Sequence, residues 1–79
     1  MSKDSTQSVR ECFGQRVRDM RHDRSISQEE LAAIAGVNRT YIGMVERGEK
    51  NVTIVTLLRL AEALGARPAD LLEGIHLGK

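Results

Sequence analysis

A single cysteine, Cys12, stands in this 79-residue chain, so no internal disulfide can form. That usage fits a reducing cytoplasm. No apolar run approaches the roughly 20 residues of a membrane span, and the N-terminus shows no apolar core of a secretory leader. Glycine-rich phosphate loops are missing, and His22, His76 and Cys12 show no metal-ligand spacing. No nucleophile with a neighbouring base can be argued. These absences speak against an enzyme and lead to the expectation of no cofactor, no metal and no small-molecule ligand. β alternation, internal repeats and low-complexity runs are absent too, which leaves an all-α reading with one domain. Nor is there a basic excess. Twelve Lys/Arg stand against eleven Asp/Glu, a net charge of +1, whereas a nucleic-acid binder more often carries a clear surplus. The balance is uneven: six Lys/Arg to four Asp/Glu through Ile26, then three to four from Ser27 to Thr53. Binding to a polyanion must therefore depend on where individual charges point.

What is present centres on Gln28 to Arg47, QEELAAIAGVNRTYIGMVER. Ser27 followed by Glu30 is a capping box, in which the hydroxyl takes a free helix N–H and the carboxylate returns a bond. Leu31, Ala32 and Ala35 share a face. Gly36 stands where the helix must stop, because glycine tolerates the left-handed conformation of a sharp turn. Val37 plugs the turn, Asn38 caps the next helix, and Tyr41, Ile42 and Val45 form its inward side. Small Ala32, Gly36 and Ile42 have the spacing of a helix-turn-helix at about 28–47, a unit that usually enters the DNA major groove. A plain helical hairpin is the blander alternative. The agreement of spacing, caps and turn chemistry favours DNA.

Around this unit the remaining elements fall into place. Met1 to Gln7 are small and polar and read as a flexible lead, with an arm reaching DNA through Lys3 as the alternative. Residues 8–79 then form the domain. Val9, Phe13, Val17 and Met20 predict helix 1 from about Ser8 to His22. Arg10, Arg16, Arg18, Arg21 and Arg24 lie on other faces, either solvated or approaching phosphates, and Arg21 can also reach Glu46. Cys12 borders the apolar stripe and reads as a half-buried thiol. Thr53 caps helix 4, about Ile54 to Leu64, with Leu57, Leu60, Ala61 and Leu64 inward and Leu58 off the stripe. Gly65 is a stop, and Pro68 starts helix 5, about Pro68 to Glu73. Five short helices result. A homodimer is expected, since it would read two half-sites. Apolar residues not needed by the core, Leu58, Leu72, Ile75 and Leu77, are its candidate interface, with the monomer core as the competing place for them.

The segments S-Q-E-E-L-A, A-G-V, Y-I, E-R-G and L-A-E-A-L resemble the phage-repressor-like helix-turn-helix family across about Phe13 to Leu72. R-T-Y-I-G at Arg39 to Gly43, E-R-G-E at Glu46 to Glu49 and N-V-T at Asn51 to Thr53 resemble, more narrowly, the controller proteins of restriction–modification systems. The resemblance implies a five-helix DNA-binding domain. It also implies a homodimer on a double-stranded operator of two-fold symmetry, activating or repressing transcription. It implies base contacts from Arg39, Thr40, Gln28 and Met44, although Met44 can offer only an apolar touch to a thymine methyl. Phosphate contacts would come from Tyr41, Arg47, Lys50 and Asn51, with Ser27 and Asn38 beside them at helix starts. It further implies a buried pair between Arg21 and Glu46. In some phage-type activators an acidic residue at the place of Glu29 touches RNA polymerase; otherwise Glu29 serves as a carboxylate at a helix N-terminus.

Elementary chemistry runs alongside the resemblance. Arg39 and Thr40 occupy the first turn of the recognition helix, the end that enters the groove. Arginine can grip guanine O6 and N7 together. Gln28 sits where exposed N–H groups favour a phosphate. The rival reading is a protein-binding module such as an antitoxin carrying the same fold, or part of a larger sensor-repressor.

Overall fold

A computed structural model describes residues 5–77 as five helices: α1 (Ser5–Asp23), α2 (Gln28–Ala35), α3 (Arg39–Glu46), α4 (Ile54–Ala63) and α5 (Pro68–Leu72). Their boundaries follow from local chemistry. Ser27 Oγ accepts from Glu30 N at 3.0 Å and Ser27 N donates to Glu30 Oε1 at 2.7 Å, closing the capping box of α2. Gly36 at φ 74° ends that helix, and Val37 N donates to Ala32 O at 2.9 Å across the turn. Asn38 Oδ1 then accepts from Tyr41 N at 3.0 Å to start α3, and Thr53 Oγ1 accepts from Thr56 N at 3.1 Å to start α4. Each cap satisfies a donor that the helix itself cannot.

One difference concerns the N-terminal lead. Ser5, Thr6 and Gln7 are helical, so α1 begins three residues before the expected Ser8. One local and one long-range contact hold the added turn: Gln7 Nε2 donates to Glu11 Oε2 within α1 at 3.0 Å and reaches Gly48 O at 3.5 Å. Residues 1–4, including Lys3 and its suggested arm, lie outside the described residues. Cys12 is exposed rather than half-buried, because it falls off the face that carries Phe13 and Val17.

The core is assembled from every helix: Phe13 and Val17, then Leu31, Ala32 and Ala35, then Ile42 and Val45, then Leu60, Ala61 and Leu64, and last Leu71. Met20, Val37, Tyr41, Leu57 and Ile75 pack against it while staying partly exposed. The crossing of α1 and α3 is especially close. A Cβ at Gly14 would collide with the Val45 carbonyl and come within 2.8 Å of the Glu46 carbonyl oxygen. Arg16 staples the short α5 to α1, donating to Asp70 O at 2.6 Å and Glu73 O at 2.7 Å. Of the α1 arginines, then, Arg16 is occupied by the fold.

One polar group sits within this packing. Arg21 Nε and Nη2 donate to the two oxygens of Glu46 at 2.7 and 3.0 Å, and Arg21 Nη1 donates to Ile26 O at 3.0 Å. Gln28 Nε2 adds a bond to Glu46 Oε1 at 3.0 Å. Burial alone would raise the Glu46 carboxyl. The bonds from Arg21 and Gln28, with the positive charges of Arg21 and Arg18, outweigh it and hold the group below the usual carboxylate range.

Breaking a buried pair on one side leaves an uncompensated charge and costs about 3–5 kcal/mol. Glu46→Ala is therefore predicted to melt at least about 12 °C below wild type, whereas Glu49→Ala, on the surface, stays close to it. The lowered folded-state pKa also fixes a direction with pH. The contribution is complete above the unfolded carboxylate value of about 4.3 and is lost as the pH falls through the lower folded value. Thermal melts from pH 7 to pH 2 check both points. Equal melting of the two alanine variants, or the same acid limb in Glu46→Gln and wild type, would remove the pair from this role.

Candidate nucleic-acid interface

The N-terminal end of α3 is open to an external partner. Asn38 spends its side-chain oxygen on the cap, which leaves its amide N–H groups outward. Arg39 and Thr40 follow, both exposed. Among the described residues their side chains make no hydrogen bond, so their donors are free for an external partner. Thr40, half-buried Tyr41 and Met44 share an open depression with Val37, Asn38, Lys50 and Thr56. α3 thus presents one continuous polar and apolar strip, bounded by the loop after it and by the first turn of α4.

Thr56 is a member of the strip that the motifs do not point to. Its hydroxyl accepts from Thr53 Oγ1 at 3.1 Å. The available signal is its place three residues after the Thr53 cap, which puts it in the first turn of α4.

Gln28 is placed differently from a free helix-start side chain. It is half-buried, and its amide donates to Glu46. Its Oε1 lies on the other side, toward Gly43, where an added Cβ would stand 3.9 Å from it. The Arg21–Glu46 pair therefore fixes which end of the Gln28 amide is turned toward Gly43. Ser27 is committed to its capping box through oxygen acceptance, while its hydroxyl proton remains free to turn. Glu29 is exposed in the first turn of α2.

The far end of α3 carries a second ion pair. Arg47 Nε and Nη2 donate to Glu49 Oε2 and Oε1 at 2.9 and 3.3 Å, and both side chains are exposed. The hydrogen bonds from Arg47, together with the positive charges of Arg47 and Lys50, hold the Glu49 carboxyl below its ordinary value. Gly43 makes room for this arrangement: a Cβ there would lie 3.2 Å from Arg47 Nη1. A glycine inside a helix costs about 1 kcal/mol relative to alanine, and here it opens a notch for a guanidinium.

Lys50 and Asn51 project from the loop beyond, exposed. The loop backbone turns at Gly48, φ 78°, pressed so closely on α1 that a Cβ would meet Glu11 Cγ at 2.7 Å. Arg10 Nε donates to Gly48 O at 3.3 Å, and Arg10 Nη2 to Gln7 Oε1 at 2.6 Å. Arg10 thus holds the loop that carries Lys50 and Asn51. The structure brings Asn38, Thr40, Tyr41, Met44 and Lys50 together on one strip. Gln28 and Arg47 adjoin them across Gly43, and Ser27 stands at the start of α2. The apolar Leu58, Leu72 and Leu77 are exposed, at 48, 47 and 69 %. Ile75 instead packs partly against the core.

Comparison with known proteins gives this surface a context. Residues 17–72 match the helix-turn-helix family model described as Helix-turn-helix. The chain is 48% identical to control protein C.SmaI of Serratia marcescens over 64 residues, covering 81% of this chain and 76% of that one. It is 42% identical to control protein C.BamHI of Bacillus amyloliquefaciens over 74 residues, covering 92% and 91%. Its fold matches the crystal structure of the restriction–modification controller protein C.AhdI from Aeromonas hydrophila with a TM-score of 0.80, at 45% identity, over 81% of this chain and 97% of that one. A capped, unpartnered first turn on α3 is what such a domain needs, and with the match spanning most of its length this chain belongs to the helix-turn-helix family of DNA-binding transcription regulators.

Proposed function

We propose that this regulator is the controller protein of a restriction–modification system, binding a two-fold-symmetric operator as a homodimer in the cytoplasm. The observation that carries the reading is the exposed, unbonded pair Arg39 and Thr40 on the first turn of α3. Two-fold repetition of that turn would reach half-sites about one helical turn apart. The high identity to the two control proteins over most of both chains supports the controller role.

In this reading Arg39 reads a base pair, with Thr40 and Gln28 beside it and the Met44 side chain against a thymine methyl. Tyr41, Arg47, Lys50 and Asn51 contact phosphates, joined by Ser27 and by the Asn38 amide. Base contacts specify, while phosphate contacts position the protein and set the salt dependence. Arg39→Ala is predicted to lose about 1–3 kcal/mol of discrimination at one position of each half-site, with non-specific binding little changed. Arg47→Ala is predicted to weaken all sequences alike and to flatten the salt slope by about one unit per contact. Selection of sites from random duplexes, followed by titration of single-base variants at several salt concentrations, measures both. Uniform weakening by Arg39→Ala, with unchanged base preference, would overturn the assignment.

The dimer would be held by the exposed outer faces of α4 and α5. Leu58 and Leu72 lie there, Leu77 is exposed in the segment after α5, and Ile54 and Val55, 77 and 58 % exposed, add apolar surface on α4. Ile75 would contribute only its exposed edge. Leu58→Glu is predicted to shift sedimentation from dimer to monomer and to lower operator affinity while the melting curve stays cooperative. A wild-type monomer at high concentration, both free and on DNA, would refute the dimer.

Exposed Glu29 is the proposed contact with RNA polymerase. In a reconstituted transcription assay, Glu29→Gln is expected to keep operator affinity and lose activation. Full activation by that variant would leave Glu29 as a carboxylate stabilising the start of α2.

A further inference from the structure

We infer that Glu49 is an internal stand-in for the DNA backbone, occupying the Arg47 fork in the free protein and leaving it when a phosphate arrives. This rests on the reading of Arg47 as a phosphate contact. The geometry is that of exchange. Arg47 offers Nε and Nη2 side by side to two carboxylate oxygens at 2.9 and 3.3 Å, the same side-on fork that receives two phosphate oxygens. Both partners are exposed, at 59 and 52 % for their side chains, so neither is locked in by packing. The remaining nitrogen, Nη1, lies over Gly43, whose missing side chain makes the notch, on the same side as Gln28 Oε1. Arg47 is thus paired at the end of α3 before DNA binds, with its Nε–Nη2 side on an acid that packing does not lock there.

Two consequences follow from charge balance. A phosphate on the Nε–Nη2 side of Arg47 must first displace Glu49, so the acid lowers affinity for every DNA sequence that is held through that side. Part of the arginine charge is also already neutralised, so binding releases fewer counterions than the number of phosphate contacts would give. With a formal charge of only +1 on the chain, one such carboxylate is a large share of the electrostatic balance at the interface.

The test is a double-mutant cycle on the full chain. Wild type, Glu49→Gln, Arg47→Met and the double variant are titrated with operator duplex and with an unrelated duplex over a range of salt concentrations, and circular dichroism melts confirm folding. Glu49→Gln should raise affinity for both duplexes on the order of 2–5-fold, the scale of an exposed ion pair. It should also steepen the salt slope by up to about one unit. In the Arg47→Met background the same change should do nothing. Nitrogen-15 spectra of wild type should show the Arg47 Nε–H signal moving on DNA binding and, in the free protein, on Glu49→Gln. An equal gain in both backgrounds would overturn the exchange, since Glu49 would then act only by general repulsion or through Lys50. No gain in the wild-type background would overturn it as well. If Arg47→Met itself leaves affinity and salt slope unchanged, the phosphate role of Arg47 fails, a result distinct from a failure of Glu49 alone.

Discussion

The buried pair between Arg21 and Glu46 ties the end of α1 to the end of α3, two segments 25 residues apart, through bonds of 2.7 and 3.0 Å. Its reach is wider than two side chains. Arg21 also holds the carbonyl of Ile26 in the connector, and Glu46 receives the amide of Gln28 at the start of α2. Three helices and a connector are thus registered through one guanidinium and one carboxylate. Apolar packing brings α1, α2 and α3 together without direction, whereas two charges removed from water must satisfy their hydrogen-bonding capacity in a narrow geometry. Among the described residues no buried side-chain polar atom is left without a partner. The same group connects the interior to the outer surface, because the Gln28 amide that completes it lies beside the exposed end of the helix pair.

Small residues make that registration possible. Gly14 lets α1 lie against the carbonyls of Val45 and Glu46, which brings Arg21 within reach of its partner two turns later. Gly48 lets the following loop press on Glu11, where Arg10 and Gln7 hold its carbonyl. α1 therefore acts as the platform on which the recognition helix and its loop are mounted. The α1 arginines, which the linear sequence leaves either solvated or near phosphates, serve separate roles in the fold. Arg10 and Arg16 bond backbone carbonyls, and Arg21 is buried. A domain with a net charge of +1 can still serve DNA, because such binding depends on a few placed cations rather than on their sum.

How much is legible in the residues differs from element to element. Ser27 with Glu30, Gly36, Asn38 and Thr53 announce their helix ends, and each is found in that role. These effects act within four residues, so a linear reading contains all the information they need. Leu31, Ala32, Ala35, Ile42, Val45, Leu60, Ala61 and Leu64 are recognisable as core by period and lie buried. The start of α1 falls three residues earlier than its apolar period implies, because its first turn is held by Gly48, 41 positions away from Gln7. Ser25, at φ 56°, gives no sign in the sequence of its left-handed conformation, which the compact connector between α1 and α2 imposes.

The sequence by itself thus determined five short helices, a turn of fixed hand between the second and third, and the exposed residues of the third, because caps, glycine conformation and hydrophobic period are local or periodic properties. Tertiary structure decided which polar groups were already spoken for. Gln28 bonds Glu46, Arg47 bonds Glu49, Arg16 bonds the end of α5, and Thr56 joins the strip on α3, while Arg39 and Thr40 stay free. No spacing rule predicts those pairings. They depend on where the folded backbone sets each side chain, across separate helices for Gln28 and Arg16 and within one loop for Arg47, and there tenths of an ångström decide whether a donor meets a partner inside the protein or remains available to one outside it.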